Sequence, residues 1–160
     1  MISSMPTITD TVDGPIPPRV DSDTWPGVLH TRPADLAKRM GTPPWFTPVI
    51  VDERNQVTLI AGGPGHGNRP HWHEDFDEWW FILAGELQWE LTGGRTLAAR
   101  KGDIVWVPRG TTHHIKNVGD EISLRVAVGM PPGIHYYHDC DVCGHSDDGP
   151  REWDVPLDAW

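Results

Sequence analysis

Hydrophobic and polar positions alternate with a period of two in short runs along much of this chain. The runs predict eight strands, at 48–53, 57–62, 79–83, 86–91, 96–100, 103–107, 113–117 and 122–128. Glycine and asparagine positions separate the runs and are typical of turns. Short strands at such close spacing indicate an all-β sandwich or barrel.

One stretch ahead of the strands has a helical pattern instead. The sequence TRPADLAKRMG, residues 31–41, predicts a short helix. Thr31 is the expected N-cap, Pro33 lies in the first turn, and Gly41 ends the helix. The fold class that follows is all-β, with one short N-terminal helix.

Composition and charge divide the 160 residues into three parts. We expect an N-terminal extension with the short helix at 1–44, a barrel at 45–130 and an acidic tail at 131–160. The formal net charge is −10, and residues 139–160 alone carry seven acidic residues and one arginine. An acidic chain repels phosphate backbones, so we expect no nucleic-acid partner. The sequence has no run of about eighteen apolar residues, so we expect no membrane span.

The two cysteines, Cys140 and Cys143, are too few for a disulfide framework. The N-terminus also lacks the basic start and apolar block of a signal peptide, so we expect a cytoplasmic protein. With His138 and His145 on either side, the cysteine pair has a spacing that suits a small zinc site in the tail. A pair of free thiols is the alternative.

Candidate chemistry is concentrated in the sequence HWHEDFDEWWFILAGE. In a strand, His71 and His73 point to the same face. An acidic turn, Glu74–Asp77, follows the two histidines. We expect a hairpin at this turn to bring Glu78 back beside the two imidazoles. Two histidines and one carboxylate are a common set for a divalent transition metal. A fourth ligand is expected from the sequence PRGTTHH, at His113 or His114.

The strand faces also predict what surrounds the metal. Trp80 and Ile82 share the inward face of their strand, whereas Trp79 points outward. Trp89 and Trp106 are predicted at the same cavity. Aromatic walls favour flat or apolar ligands, although the same side chains would appear in any packed β core.

Two arginines are candidates for substrate binding. Arg125 lies on one face of strand 122–128, and a guanidinium inside the barrel would anchor a carboxylate. We therefore predict Arg125 as a catalytic residue together with Glu78. Arg69, two residues before His71, is a second candidate for the pocket. Surface positions are the alternative for both arginines.

The spacing of these residues resembles that of the cupin superfamily. Two stretches reproduce its two signatures, namely Gly65-x5-His71-x-His73-x4-Glu78-x6-Gly85 and Gly102-x5-Pro108-x-Gly110-x2-His113-x3-Asn117. The resemblance implies a jelly-roll barrel, a double-stranded β-helix, of six to eight strands. It also implies a metal held by four residues, and it favours His113 over His114. The implied ligands are His71, His73, Glu78 and His113.

Two further stretches resemble, more loosely, bacterial 3-hydroxyanthranilate 3,4-dioxygenase. They are VTLIAGGP before the first signature and GIHYYHDCDVCGH after the barrel. That family binds its catalytic iron with two histidines and one glutamate, and its tail carries a second cysteine pair that this chain lacks. The resemblance implies kinship in architecture and in oxygen chemistry, but not the same substrate.

These features predict an enzyme with one divalent transition metal per chain. Fe(II) is favoured, with Mn, Ni, Zn and Co as alternatives. An octahedral ion with four protein ligands keeps two positions open, which favours a non-haem Fe(II) dioxygenase that acts on a small aromatic or carboxylate-bearing molecule. A redox-neutral lyase or isomerase and a non-catalytic small-molecule-binding protein are the alternatives. We expect a homodimer.

Overall fold

Two antiparallel sheets and one short helix make up the part of the chain that the structure describes. The structure is a computed structural model, and it describes residues 31–131 and 133–137 and the backbone of residues 149–151. Helix α1 spans Pro33–Met40. The strands are β1 Trp45–Val51, β2 Gln56–Gly62, β3 His71–Trp72, β4 Glu78–Ala84, β5 Glu86–Leu91, β6 Arg95–Arg100, β7 Ile104–Val107, β8 His113–Asn117, β9 Ser123–Gly129, β10 His135–Tyr137 and β11 Gly149–Arg151.

The strands form a five-stranded sheet and a six-stranded sheet. The first sheet has the order β1-β2-β9-β4-β7, and the second has the order β11-β10-β3-β8-β5-β6. Strands that are adjacent in the chain often lie in different sheets, so the chain crosses repeatedly between the two layers. This arrangement confirms the predicted all-β jelly-roll fold with one short helix.

The main core lies between the two sheets. Alternate residues of each strand point inward, so Trp80 and Ile82 of β4 meet Leu87 and Trp89 of β5. These four side chains are at most 1% exposed. Burial of each large apolar side chain contributes about 1.5–3 kcal/mol, so this layer supplies much of the fold's stability.

Helix α1 packs on the outer side of the five-stranded sheet. Its buried residue, Leu36, joins Trp45 and Leu59 in a second, smaller cluster. The expected N-cap at Thr31 is wrong, because the helix is preceded by Arg32 and has no side-chain cap. Within the described residues, no helix is long and apolar enough to span a membrane.

The segment that follows the barrel strands adds a strand to the six-stranded sheet. Strand β10 pairs with β3, where Tyr137 lies opposite His71 and Tyr136 opposite Trp72. The sequence pattern predicted neither β3 as a separate short strand nor β10. Residues assigned to the tail therefore form one wall of the barrel.

The outer face of β4 and β7 is apolar and exposed. Trp79 is 39% exposed while Trp80 is 1% exposed, which confirms the predicted register of β4. The predicted inward position of Trp106 is wrong, because this side chain is 59% exposed and lies opposite Trp79. Val105 and Val107 are the residues of β7 that enter the core.

Candidate metal centre

Four buried residues meet inside the barrel, three of them on strands β3, β4 and β8 and one directly after β3. They offer three imidazole nitrogens and one carboxylate oxygen, all within 4.8 Å of one another. The four residues are His71, His73, Glu78 and His113, each at most 5% exposed. The structure thus brings together the four ligands that the cupin resemblance implies.

Glu78 reaches the histidines across the barrel. The predicted hairpin is wrong, because β3 and β4 belong to opposite sheets. The Oε2 atom of Glu78 lies 2.9 Å from Nε2 of His73 and 3.2 Å from Nε2 of His113. The buried His113 Nε2 atom has no partner in hydrogen-bond geometry among the described residues, despite that short distance. A buried nitrogen of this kind fits a metal ligand.

Each of the three ligand imidazoles has its Nδ1 atom next to a backbone carbonyl. When Nδ1–H donates to that carbonyl, the ring is fixed and Nε2 is the atom left for a metal. The accepting carbonyls are Arg69 at 2.7 Å for His71, Ile134 at 2.8 Å for His73 and Thr111 at 3.2 Å for His113.

Burial and charge set the protonation states of the centre. Burial, together with the neighbouring imidazoles His113, His135 and His73, holds the pKa of His71 well below its ordinary value. Burial alone would raise the pKa of the Glu78 carboxyl. The nearby charge of His73 and its hydrogen bond to the carboxylate, together with the charge of His113, outweigh this effect and hold that pKa below its ordinary range. A neutral imidazole and an ionised carboxylate are the forms that bind metals.

The donor set fits one divalent metal ion. Three imidazole nitrogens and one carboxylate suit first-row ions from manganese to zinc. Trp80 adds a hydrophobic wall, because its ring centre lies 5.2 Å from that of His113. Such a wall limits water access to the ligands.

A fourth buried imidazole, His135, lies beside the centre and was missed by the sequence reasoning. It is 6% exposed, and its ring centre lies 4.4 Å from that of His71 and 4.6 Å from that of His73. Burial and the nearby His73 lower the pKa of His135 to about 3, so the ring is neutral at pH 7. The available signal is the His-x-Tyr alternation of residues 135–137, within the predicted tail.

Arg125 is buried on the inward face of β9, as predicted. It is 5% exposed, and its Nε atom has no hydrogen-bond partner among the described residues. Burial lowers the pKa of Arg125 to about 10, and the negative charge of Glu78 opposes this effect. The guanidinium therefore stays charged at neutral pH and lies within the field of the metal centre.

Two clefts, one beside Arg125 and one beside Glu78, lie at opposite ends of the β2–β9 pair. One cleft is lined by Arg125, His66 and Phe46 among others. The second is lined by Glu78, Phe76 and Gly133 among others. Arg125 thus lines one cleft and Glu78 lines the other.

The remaining predicted pocket residues lie elsewhere. Trp80, Ile82 and Trp89 pack in the core beside the centre and line neither cleft. Arg69 is buried, and its guanidinium carbon lies 4.2 Å from the centre of the Tyr137 ring. The proposed second metal site lies outside the described residues, at His138, Cys140, Cys143 and His145.

Comparison with known proteins identifies the family of this barrel. Residues 58–130 match the family model described as cupin domain. The two sheets and the buried four-residue cluster agree with that match, so residues 58–130 form a cupin domain.

A curated relative and two solved structures are similar to this chain. An oxalate decarboxylase of Bacillus subtilis is 30% identical over 67 residues, which cover 39% of this chain and only 17% of that protein. A conserved protein with a double-stranded β-helix domain from Klebsiella pneumoniae shares the fold at a TM-score of 0.56 and 22% identity, over 62% of this chain and 87% of its own. A protein from Thermus thermophilus has a TM-score of 0.51 and 28% identity, over 54% and 82%.

Proposed function

We propose that this chain is a metal-dependent enzyme that acts on a small carboxylate-bearing molecule. The observation that carries the proposal is a buried arginine, Arg125, in the field of the four-residue metal centre. In this proposal the substrate carboxylate binds the guanidinium while the reacting end of the substrate lies at the metal.

The environment of Arg125 supports a carboxylate ligand. The Nε atom of Arg125 is buried and has no hydrogen-bond partner among the described residues. A buried charged donor without a partner costs free energy, which a bound ligand would recover. A carboxylate matches a guanidinium in shape and charge and forms paired hydrogen bonds with it. The cleft that Arg125 lines contains Phe46 and Ile60, which suits the apolar part of a small organic acid.

The protein groups have separate parts in this mechanism. His71, His73, His113 and Glu78 would hold the ion, which when bound supplies Lewis-acid or redox chemistry. Arg125 orients the substrate, and the backbone carbonyls fix the imidazoles before substrate arrives. Trp80 forms an apolar wall beside His113.

Two reactions fit this arrangement. An Fe(II) dioxygenase that cleaves or oxidises the acid is the reaction predicted from the sequence. A redox-neutral lyase is the second candidate, and it is favoured by the 30% identity to a protein named oxalate decarboxylase. Because that match spans 17% of the relative, the relative's substrate and reaction are proposals for this chain.

The experiment compares turnover in air and under argon. The protein is loaded separately with Fe(II), Mn(II), Co(II) and Zn(II), and a panel of small carboxylic acids is followed by mass spectrometry and O2 uptake. The dioxygenase predicts Fe(II)-dependent loss of substrate in fixed ratio to O2. The lyase predicts equal turnover under argon and activity with more than one metal.

Substitution of Arg125 tests the substrate class. Arg125→Met should raise KM for the acid about 10- to 100-fold, because a hydrogen bond to a charged group contributes about 1.5–3 kcal/mol. Arg95→Met, at an exposed arginine of β6, is the matched control. Unchanged KM in the Arg125 variant would refute the carboxylate anchor. Binding of acids without turnover under every condition would leave a non-catalytic binding protein.

A further inference from the structure

A histidine outside the metal centre, His66, lines the same cleft as Arg125. It lies on the loop between β2 and β3. Arg125 is 5% exposed, whereas His66 is exposed. The cleft therefore joins a buried cation to an imidazole at the surface of the barrel.

The loop around His66 fixes the orientation of its ring. The backbone N–H of Gly63 donates to Nδ1 of His66 at 3.0 Å. A Cβ added at Gly63 would lie 3.3 Å from both Nδ1 and Cε1 of the ring, so the bare glycine backbone lets the imidazole lie close against it. The loop is itself bound to β8, because the N–H of Asn117 donates to the His66 carbonyl at 2.8 Å. The imidazole thus has a defined position at the cleft before any ligand binds.

The hydrogen bond from Gly63 also decides which nitrogen of His66 carries the hydrogen. In a neutral imidazole one nitrogen donates and the other accepts. Because Nδ1 accepts from the Gly63 amide, Nε2 carries the hydrogen and is a donor. The Nε2–H group is thus the polar group that His66 can offer to a ligand in the cleft.

The cleft offers donors and a positive charge to such a ligand. Arg125 and His66 are the polar side chains among the described residues that line it, and the indole N–H of Trp45 already donates to the Gly41 carbonyl. Two donors with no acidic neighbour in the lining suit a group with two acceptor oxygens, which is an ionised carboxylate. A carboxamide has one acceptor oxygen and would place its NH2 group against a donor.

We propose that His66 is the second anchor of the substrate carboxylate: its Nε2–H donates to one carboxylate oxygen while the guanidinium of Arg125 binds the other. The inference rests on the proposed function, because it adds a neutral donor to the carboxylate contact of Arg125. Both residues line one cleft, so the two contacts require no ligand that spans the barrel. The cleft thereby selects an ionised acid over the neutral amide of the same acid, whichever reaction follows.

The experiment uses the zinc-loaded protein, because Zn(II) is diamagnetic and permits NMR. The two probes are propionate and propionamide, which have nearly the same shape. In mildly alkaline solution the ring nitrogens of unliganded His66 should show hydrogen on Nε2. Propionate should shift the signals of both His66 Nε2 and Arg125 Nε, and propionamide should bind at least tenfold more weakly.

Two substitutions separate the ligand contact from the contact to Gly63. His66→Gln places an amide nitrogen near the position of Nε2 and should keep most of the propionate affinity. His66→Asn can still accept from Gly63 but has no donor that reaches the cleft. Its propionate affinity should fall about tenfold while propionamide binding stays within about twofold. His114→Asn, at a surface histidine beside Glu90, is the control and should leave propionate affinity unchanged.

Failure of this inference and failure of the proposed function give different results. Unchanged propionate affinity in His66→Asn overturns the inference, and the proposed carboxylate anchor stands if Arg125→Met still loses propionate. Equal losses in His66→Asn and His66→Gln also overturn the inference, because the loss would not follow the donor. Hydrogen on Nδ1 of unliganded His66 does the same. Unchanged affinity in Arg125→Met, or propionate that shifts only the imidazole signals of the metal ligands, overturns both.

Discussion

At the scale of single residues, His113 and His114 are adjacent in the chain but face opposite sides of β8. His113 is 1% exposed and belongs to the metal centre. The Nδ1 atom of His114 lies 3.2 Å from the Glu90 carboxylate at the surface. His113→Ala should therefore lose most of the bound metal, whereas His114→Ala should keep it. Metal analysis of both purified variants measures this, and retention in the first with loss in the second would exchange their roles.

Gly85, the last residue of the first signature, lies where the backbone leaves no room for a side chain. Its φ is +77°, and an added Cβ would lie 2.7 Å from Cα of Ser123. Gly93 has nearly the same φ, +80°, but nothing within 4 Å of its added Cβ. Both alanine variants carry a left-handed cost of about 1–2 kcal/mol. Gly85→Ala should lose about 1–3 kcal/mol more from overlap.

Urea denaturation of the two glycine variants separates these contributions. Because Gly93 serves as the control for backbone strain, the difference between the two free energies of unfolding reports the overlap with Ser123 alone. Equal losses in both variants would contradict the close approach seen at Gly85.

The ligand set was predictable from the sequence, whereas the fourth imidazole was not. The spacing of His71, His73 and Glu78 within one short stretch carries the chemistry, and the second signature chooses His113. His135 has no comparable spacing to any ligand. It reaches the centre through the pairing of β10 with β3, which joins residues about sixty-five positions apart in the chain. Such a long-range pairing is set by the whole barrel and not by a local pattern.

At the scale of elements, strand β4 has one face in the core and one toward solvent. Trp80 is 1% exposed and contacts both Trp89 and His113, whereas Trp79 is 39% exposed. Trp80→Ala should therefore lower the free energy of unfolding by about 3–5 kcal/mol, the usual cost of a large core truncation. Trp79→Ala should cost much less. Similar losses in chemical denaturation would mean that the outer tryptophan is also packed.

Strand β7 shows why faces are harder to predict where both sides of a strand are apolar. Its sequence, IVWV, offers hydrophobic residues at every position, so a period of two assigns no face. The prediction grouped Trp106 with Trp80 and Trp89 at the cavity and so placed it inside. Pairing with β4 decides the matter, because Glu78 lies opposite Val107 and Trp79 opposite Trp106. In strand β4 the charged residue Glu78 marks the inward face, so alternation from Glu78 assigns the faces of the residues that follow it.

At the scale of the whole molecule, the expected homodimer stays a prediction. Ile104 and Trp106 are 68% and 59% exposed on β7, at the edge of the five-stranded sheet. Exposed apolar side chains on an edge strand suit contact with another chain. Light scattering of the purified protein should give twice the chain mass, and a double change to Ile104→Glu and Trp106→Glu should give the mass of one chain. A single-chain mass for the unmodified protein would contradict the prediction.

The hydrogen bond between His73 and Ile134 has a consequence for cooperativity. Because one partner is a metal ligand and the other precedes β10, metal binding and attachment of residues 133–137 to the barrel stabilise each other. Thermodynamic linkage makes this coupling reciprocal. Amides of 135–137 should therefore exchange with deuterium more slowly in the metal-loaded protein than in the chelator-treated protein, while amides of β6, distant from the centre, should change little. Equal exchange in both forms would mean that the barrel holds its ion without help from the segment that follows it.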